Sequence, residues 1–307
     1  MNRFGTVAGL LQVVAVGVAL AQAPPDYVIR TVVGNGSREV IPAKDIDVVS
    51  GLEANLLEPS GVVLDSAGRV YFTDRRMVRR YDPNTGMVTR IAGQFTEFPF
   101  GEQFAGDGGP AVLSKLSSSA GIVFDSENRL LVADTFNNRI RRITNLSTTT
   151  PMIETFAGNG IAQDRGDGGP LAGASFRFPT EVGVSSDGTT YVGSVIGNRL
   201  RTIERDGNLG PGWGPGINVC RWEDPICSVS AIAAGLSGNV LITDFGAQIY
   251  SIQPDRKFVL VAGKERFAYG FSGDGSPAVD ASFRGISGIG ADRRGSIFLT
   301  DAGNHRI

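Results

Sequence analysis

The residues in this chain whose types and spacing could do chemistry are carboxylates with amides beside them. Asp134 is followed by Asn137, Asn138 and Arg139, Asp301 by Asn304, and Ser194 by Asn198, while Asp74 and Asp244 stand at equivalent places. A second acidic element recurs among glycines. GDGGPA starts at Gly106, GDGGPLA at Gly166 and GDGSPA at Gly273, setting Asp107, Asp167 and Asp274 in the same context. Converging Asp and Asn oxygens could hold a hard cation such as calcium or magnesium. Other chemistries lack their residues. The one histidine, His305, excludes a histidine-ligated zinc and any Ser–His–Asp or Cys–His arrangement. The GDGG runs have neither the lysine nor the strand-to-helix setting of a phosphate-binding loop.

The same residues also have a structural explanation. An Asp or Asn at a tight turn accepts backbone N–H bonds and tolerates left-handed geometry. Gly106, Gly108 and Gly109 allow dihedrals closed to other residues, and Pro110 sets the exit toward a short helical turn. Arg139 and Arg199 are expected to bond the aspartate of their own turn or of a neighbouring repeat.

What positions these residues is an internal repeat. Five copies align: Gly61 to Asp82, Gly121 to Ile143, Val182 to Ile203, Ser230 to Ile252 and Gly288 to Ile307. Each holds short runs rich in Val, Ile and Leu, bounded by Gly, Asn, Asp or Ser, which is the pattern of strands. A further run follows at Met87 to Gly93, Met152 to Gly158 and Lys257 to Gly263. Four antiparallel strands at this period predict an all-β propeller blade. The isolated copy of the fourth run at Tyr27 to Gly36 would close the ring and hide its edges. Asp74, Asp134, Ser194, Asp244 and Asp301 fall in the turns between second and third strands. The GDGG segments fall in the crossovers between blades, so both motifs are expected at the same face.

DTFNNRIRRI (Asp134 to Ile143), DAGNHRI (Asp301 to Ile307) and the GDGGPA segments resemble the NHL-repeat β-propellers, over Tyr27 to Ile307. The first copy departs with DRRMVRRY, the third with Ser194 in place of aspartate, and the fourth with DFGAQIY. The resemblance implies six blades in the complete protein. Four full blades and part of a fifth are expected here, and a chain that stops inside a blade is expected to be a fragment of a longer reading frame, the alternative being a naturally open or oligomer-completed ring.

Composition sets the compartment and the class of partner. Arg3, the apolar run Val7 to Leu20 and the small residues around Ala21 read as a signal peptide over residues 1–21, leaving 22–307 as the propeller. The protein is therefore expected outside the cytoplasm, secreted or periplasmic, with no membrane span in the visible chain. In that setting Cys220 and Cys227 are expected to form a disulfide across CRWEDPIC. They do not make a metal pair, because there is no third soft ligand. A formal net charge of -2 and scattered arginines speak against a nucleic-acid partner.

Propellers of this general shape include lactonase-like and amidating-lyase-like enzymes. The second needs histidine ligands that the chain lacks. The first would need carboxylates converging at the starts of the inner strands, where only Glu58 and Glu181 occur. An oxygen-ligated calcium site rests on those two weak candidates, and no cofactor and no catalytic residue is assigned. The expected function is a binding or scaffold module for a protein or a carbohydrate. The segment Arg205 to Val229, carrying Trp213 and Trp222, is the candidate contact loop, with Phe95 to Phe104 a second aromatic loop. The alternative is a metal-dependent, gluconolactonase-like hydrolase.

Overall fold

The computed structural model describes residue 33 and residues 48–94, 104–194, 199–210, 212, 228–235, 238–244, 247–264, 269–292 and 294–307. Among the described residues there is no α-helix, only strands and single 3-10 turns. The chain divides into two compact units, one over residues 20–229 and one that holds residues 230–307.

In the first unit, β1 (Val48–Ser50), β2 (Pro59–Leu64), β3 (Val70–Asp74), β4 (Met77–Asp82) and β5 (Met87–Gly93) form one sheet in the order β1-β5-β4-β3-β2. A second sheet follows from β6 (Gly109–Pro110), β7 (Ser119–Phe124), β8 (Leu130–Asp134), β9 (Arg139–Thr144) and β10 (Met152–Ala157), in the order β6-β10-β9-β8-β7. The third is β11 (Glu181–Val184), β12 (Thr190–Ser194) and β13 (Arg199–Ile203). The second unit has β14 (Val229–Ala234), β15 (Val240–Asp244), β16 (Ile249–Ile252) and β17 (Phe258–Ala262), then the pair β18 (Ile286–Ala291) and β19 (Ile297–Asp301).

The repeat therefore yields one sheet per copy, of five, five, three, four and two strands among the described residues. The GDGG segment does more than cross between blades. Gly109 and Pro110 pair with Ile153 and Met152, adding a short outer strand to the blade that follows. In the third blade Gly168 N–H donates to Leu209 O, and Leu209 N–H to Gly169 O, so Asn208 and Leu209 stand in for the fourth strand. The signal peptide, the disulfide pair Cys220 and Cys227, and Trp213 and Trp222 lie outside the described residues. So does the closing strand Tyr27 to Gly36, except for Val33, which packs on Ala54, Phe72 and Val88.

The strand pattern follows from where each face goes. All five residues of β8 are buried. Alternate side chains leave a strand on opposite sides. Leu130 and Val132 accordingly join Tyr71, Val78 and Ile91 of the first blade. Leu131 and Ala133 join Val182, Val192 and Ile203 of the third. In the second unit Leu241 and Ile249 pack with Ile286, Ile297 and Leu299. Each such side chain contributes about 1.5–3 kcal/mol by leaving water.

The first strands of successive blades lie side by side, β2 beside β7 and β7 beside β11. The approach is close enough that a Cβ on Gly61 would sit 2.4 Å from Ala120 O, and one on Gly121 2.8 Å from Val182 N. Gly121 N–H donates to Thr180 O at 2.7 Å across this seam.

Candidate functional site

Asp134 ends β8 and is fully buried. A 3-10 turn, Thr135–Asn137, follows it, and then Asn138 with φ 54. The Asp134 Oδ1 accepts the Ser117 N–H at 2.7 Å. Asn137 Nδ2 donates to its two oxygens at 3.0 and 2.9 Å, and Arg141 Nη1 to Oδ2 at 3.2 Å. Burial holds this carboxyl well above its usual range, at about 6, against the pull of Arg141, Asn137 and the Ser117 N–H.

The last copy repeats the geometry. Asp301 Oδ1 accepts the Arg284 N–H at 2.7 Å, and Asn304 Nδ2 donates to Oδ2 at 2.7 Å, with His305 at φ 56. Asn304 is thus the counterpart of Asn137, whereas Asn138 is the counterpart of His305. This is the alignment of DTFNNRI with DAGNHRI, and the left-handed residue uses its side chain differently from the amide before it: Asn138 Nδ2 donates to Phe136 O at 3.4 Å. Asn138 Oδ1 accepts the Phe178 N–H of the next blade at 3.0 Å. In the first blade Asp74 accepts the N–H groups of Leu57 and Glu58 at 2.7 and 2.9 Å and pairs with Arg79 at 3.1 Å. Asp244 is buried at the end of β15. Asn198 lies outside the described residues.

The expected role of Arg139 is taken by another arginine. Arg139 Nη1 and Nη2 donate to the carbonyls of Asn137 and Asn159, and its guanidinium lies 3.8 Å over the Phe104 ring. The guanidinium that reaches Asp134 is that of Arg141, two residues on along the same face of β9. Arg141 also reaches Asp107 of the GDGG loop at 2.6 Å, and Asp107 Oδ2 accepts from Thr155 Oγ1 at 2.6 Å. In the third blade the buried Arg201 donates to Asp167, by Nε at 2.9 Å and also by Nη2, and Arg199 Nη2 donates to Asp167 Oδ2 at 3.0 Å. Both motifs expected at one face therefore meet there, joined by a buried arginine. The glycine before each aspartate is required: Gly106, Gly166 and Gly273 have φ of +96, +94 and +100. Their backbones touch the end of the 3-10 turn that follows, a Cβ on Gly106 falling 2.7 Å from Ser114 Cα. Asp274 occupies the same loop position in the last copy.

The third blade has exchanged a pair of residues. Where the others have an aspartate it has Ser194, whose Oγ donates to Arg177 O. Two residues before GDG, the second and last copies have Phe104 and Phe271, each under a guanidinium. The third copy has Asp164 there, and its Oδ1 accepts the Arg177 N–H at 3.2 Å. That N–H is the counterpart of the one Asp134 accepts from Ser117. The carboxylate has moved from one loop to the other, and burial raises the pKa of Asp164.

Of the inner-strand acids, Glu58 is exposed and lies 3.8 Å from Arg75. Glu181 replaces the Gly61, Gly121, Ala231 and Gly288 of the other copies. It pairs across the sheet with Gly193, and burial pushes its carboxyl up to about 8. Among the described residues no three of His, Cys, Asp and Glu converge as a metal-binding group, and no helix is long and apolar enough to cross a membrane.

The sequence matches no protein-family model. It is 27% identical over 204 residues to human Teneurin-1, a match covering 62% of this chain and 7% of that protein's length. A Bacteroides thetaiotaomicron protein of unknown function superposes with a TM-score of 0.55 at 16% identity, covering 84% of this chain and 59% of that one. A putative gluconolactonase superposes with a TM-score of 0.50 at 12% identity, covering 82% and 74%. Together with the successive antiparallel blades, these likenesses make the chain an all-β protein of the β-propeller class.

Proposed function

We propose that this propeller is of the NHL type, is exported from the cell, and serves as a binding or scaffold module for a protein or a carbohydrate. The observation that carries this reading is the fate of the acidic residues. Asp134 and Asp74 are engaged by Arg141 and Arg79 inside the fold, and the partly exposed Asp107 and Asp167 by Arg141 and Arg201, which supports a role for the repeated carboxylates in holding the blades. The same face also leaves two aromatic rings in water, Phe136 and Phe104. A rigid frame with variable loops suits recognition.

A gluconolactonase-like, metal-dependent hydrolase is the second reading, and Glu181, a carboxyl with a raised pKa on an inner strand, is the residue it would use. An assay of the secreted protein on sugar-acid lactones, with calcium and with a chelator, separates the two. No turnover and an unchanged Tm on chelation support the binding module; metal-dependent turnover lost in Glu181→Gln overturns it.

A further inference from the structure

The turn end of the second and third blades carries a cluster that the repeat itself does not require. Phe136, in the turn after β8, is 42% exposed, and its ring meets that of Phe178 edge to face at 5.8 Å. Phe178 has φ 47, in the left-handed region that strongly disfavours a bulky side chain. Its counterparts 60 residues earlier and in the last copy are Ser118 and Gly285, both also at positive φ. An aromatic ring held at such a position is strain of the kind that collects at binding sites. Phe104 and Ile161 extend the exposed set.

The surroundings are cationic although the chain is not. Arg139, Arg141, Arg165, Arg177, Arg199, Arg201 and Lys115 outnumber Asp107, Asp134, Asp164, Asp167 and Glu181 at this end, although Arg141 and Arg201 are buried. At the opposite ends of the same unit's strands, Asp65, Asp82, Asp125, Glu127, Asp187 and Asp206 outnumber Arg69, Arg129 and Arg205. Arg177, next to Phe178, is a quarter exposed with its Nε 4.0 Å from the Asp164 carboxylate, and Arg139 presents Nη2 at the surface, where it donates to Asn159 O. A protein partner would ask for a contiguous apolar core with charges at its rim. Here single rings alternate with guanidiniums, which matches a ligand that itself alternates apolar C–H faces with carboxylates.

We infer that Phe136, Phe178, Arg139 and Arg177 form a subsite for an acidic carbohydrate, a chain of uronic-acid units stacking on the rings and pairing its carboxylates with the arginines. This rests on the reading of the protein as a binding module and names the class of ligand for that face. The guanidinium fork suits a carboxylate, and at this strand end the local charge favours an anion.

The test titrates the full chain with an oligogalacturonate, with the same oligomer methyl-esterified, and with polyglutamate. Phe178→Gly is the informative variant, because glycine accepts the positive φ and the fold keeps or gains stability. Binding of the oligogalacturonate, weakened tenfold or more by esterification, by Phe178→Gly and by Phe136→Ala at unchanged Tm, is the expected result. Equal binding of the esterified oligomer, equal binding of polyglutamate, or indifference to Phe178→Gly overturns the inference. If the chain binds a neutral glycan or a protein while Phe178→Gly changes nothing, the binding-module reading stands and this subsite falls. Lactone turnover with no glycan bound overturns both.

Discussion

Arg141 and Asp107, 34 positions apart in sequence, are joined by a 2.6 Å hydrogen bond between a fully buried guanidinium and a partly exposed carboxylate. The bond ties the glycine-rich loop to the blade that follows it. With the second pairing to Asp134, one arginine satisfies both of the second blade's motif acids.

Removing Arg141 should therefore cost far more than removing Arg139, although both belong to the same RIRR run. Arg141→Met leaves the buried Asp134 without its cation, a change of about 3–5 kcal/mol. Arg139→Ala removes a partly exposed side chain and should cost about 1 kcal/mol or less. Urea denaturation of both variants checks the ranking. Equal losses would mean the buried pairing does not hold the blade.

The exchange in the third blade predicts a compensated pair. Asp164→Phe alone strips the Arg177 N–H and the neighbouring guanidiniums of their carboxylate. Ser194→Asp alone crowds a second carboxylate beside Asp164. The double variant restores the arrangement of the second blade, so a double-mutant cycle should show a favourable coupling of about 1–3 kcal/mol. Additive effects would show that Asp164 does not stand in for the missing turn aspartate.

Much of this was legible in the sequence and some was not, for physical reasons. A turn aspartate at the end of each second strand follows from spacing alone, and Asp74, Asp134, Asp244 and Asp301 lie where that spacing puts them. Which amide and which arginine serve the aspartate depends on the left-handed residue in between, and Asn137-Asn138 offers two amides in a row. A positive φ at the second turned the choice, and no composition signal marks it. The outer strand at Gly109 and Pro110 was hidden for another reason: both residues are poor strand formers, and only the waiting edge of β10 makes them pair. The exposed ring of Phe136 was visible as a letter, but its meeting with Phe178 is a contact between blades. The one usable signal was Phe178 itself, standing where another copy has glycine.

Two of the three GDGG glycines, Gly106 and Gly108, should respond differently to a side chain. Gly106→Ala adds a Cβ 2.7 Å from Ser114 Cα as well as adopting φ +96, so strain and a backbone clash add. Gly108 has φ +74 with open space around its Cβ. Gly108→Asn should cost well under about 1 kcal/mol, because asparagine tolerates this region, whereas Gly106→Ala should exceed about 2 kcal/mol. Thermal unfolding decides; similar Tm losses would show that the loop adjusts and that packing against Ser114 is not the constraint.

Glu181 sets a pH dependence of the opposite sign to that of an ordinary salt-bridged carboxylate. Burial raises its pKa from 4.5 in the unfolded chain to about 8 in the fold. Between those values the native state binds the proton and the unfolded state does not, so stability from this group is complete below about pH 4.5 and is lost as pH rises through 8. The carboxyl is only partly shielded, so about 5 kcal/mol is an upper bound on the loss. Glu181→Gln keeps the shape and removes the titration. Its unfolding free energy should therefore exceed that of the wild type by a margin that grows from pH 5 to pH 8. Parallel pH profiles for the two proteins would mean that Glu181 ionises freely in the fold.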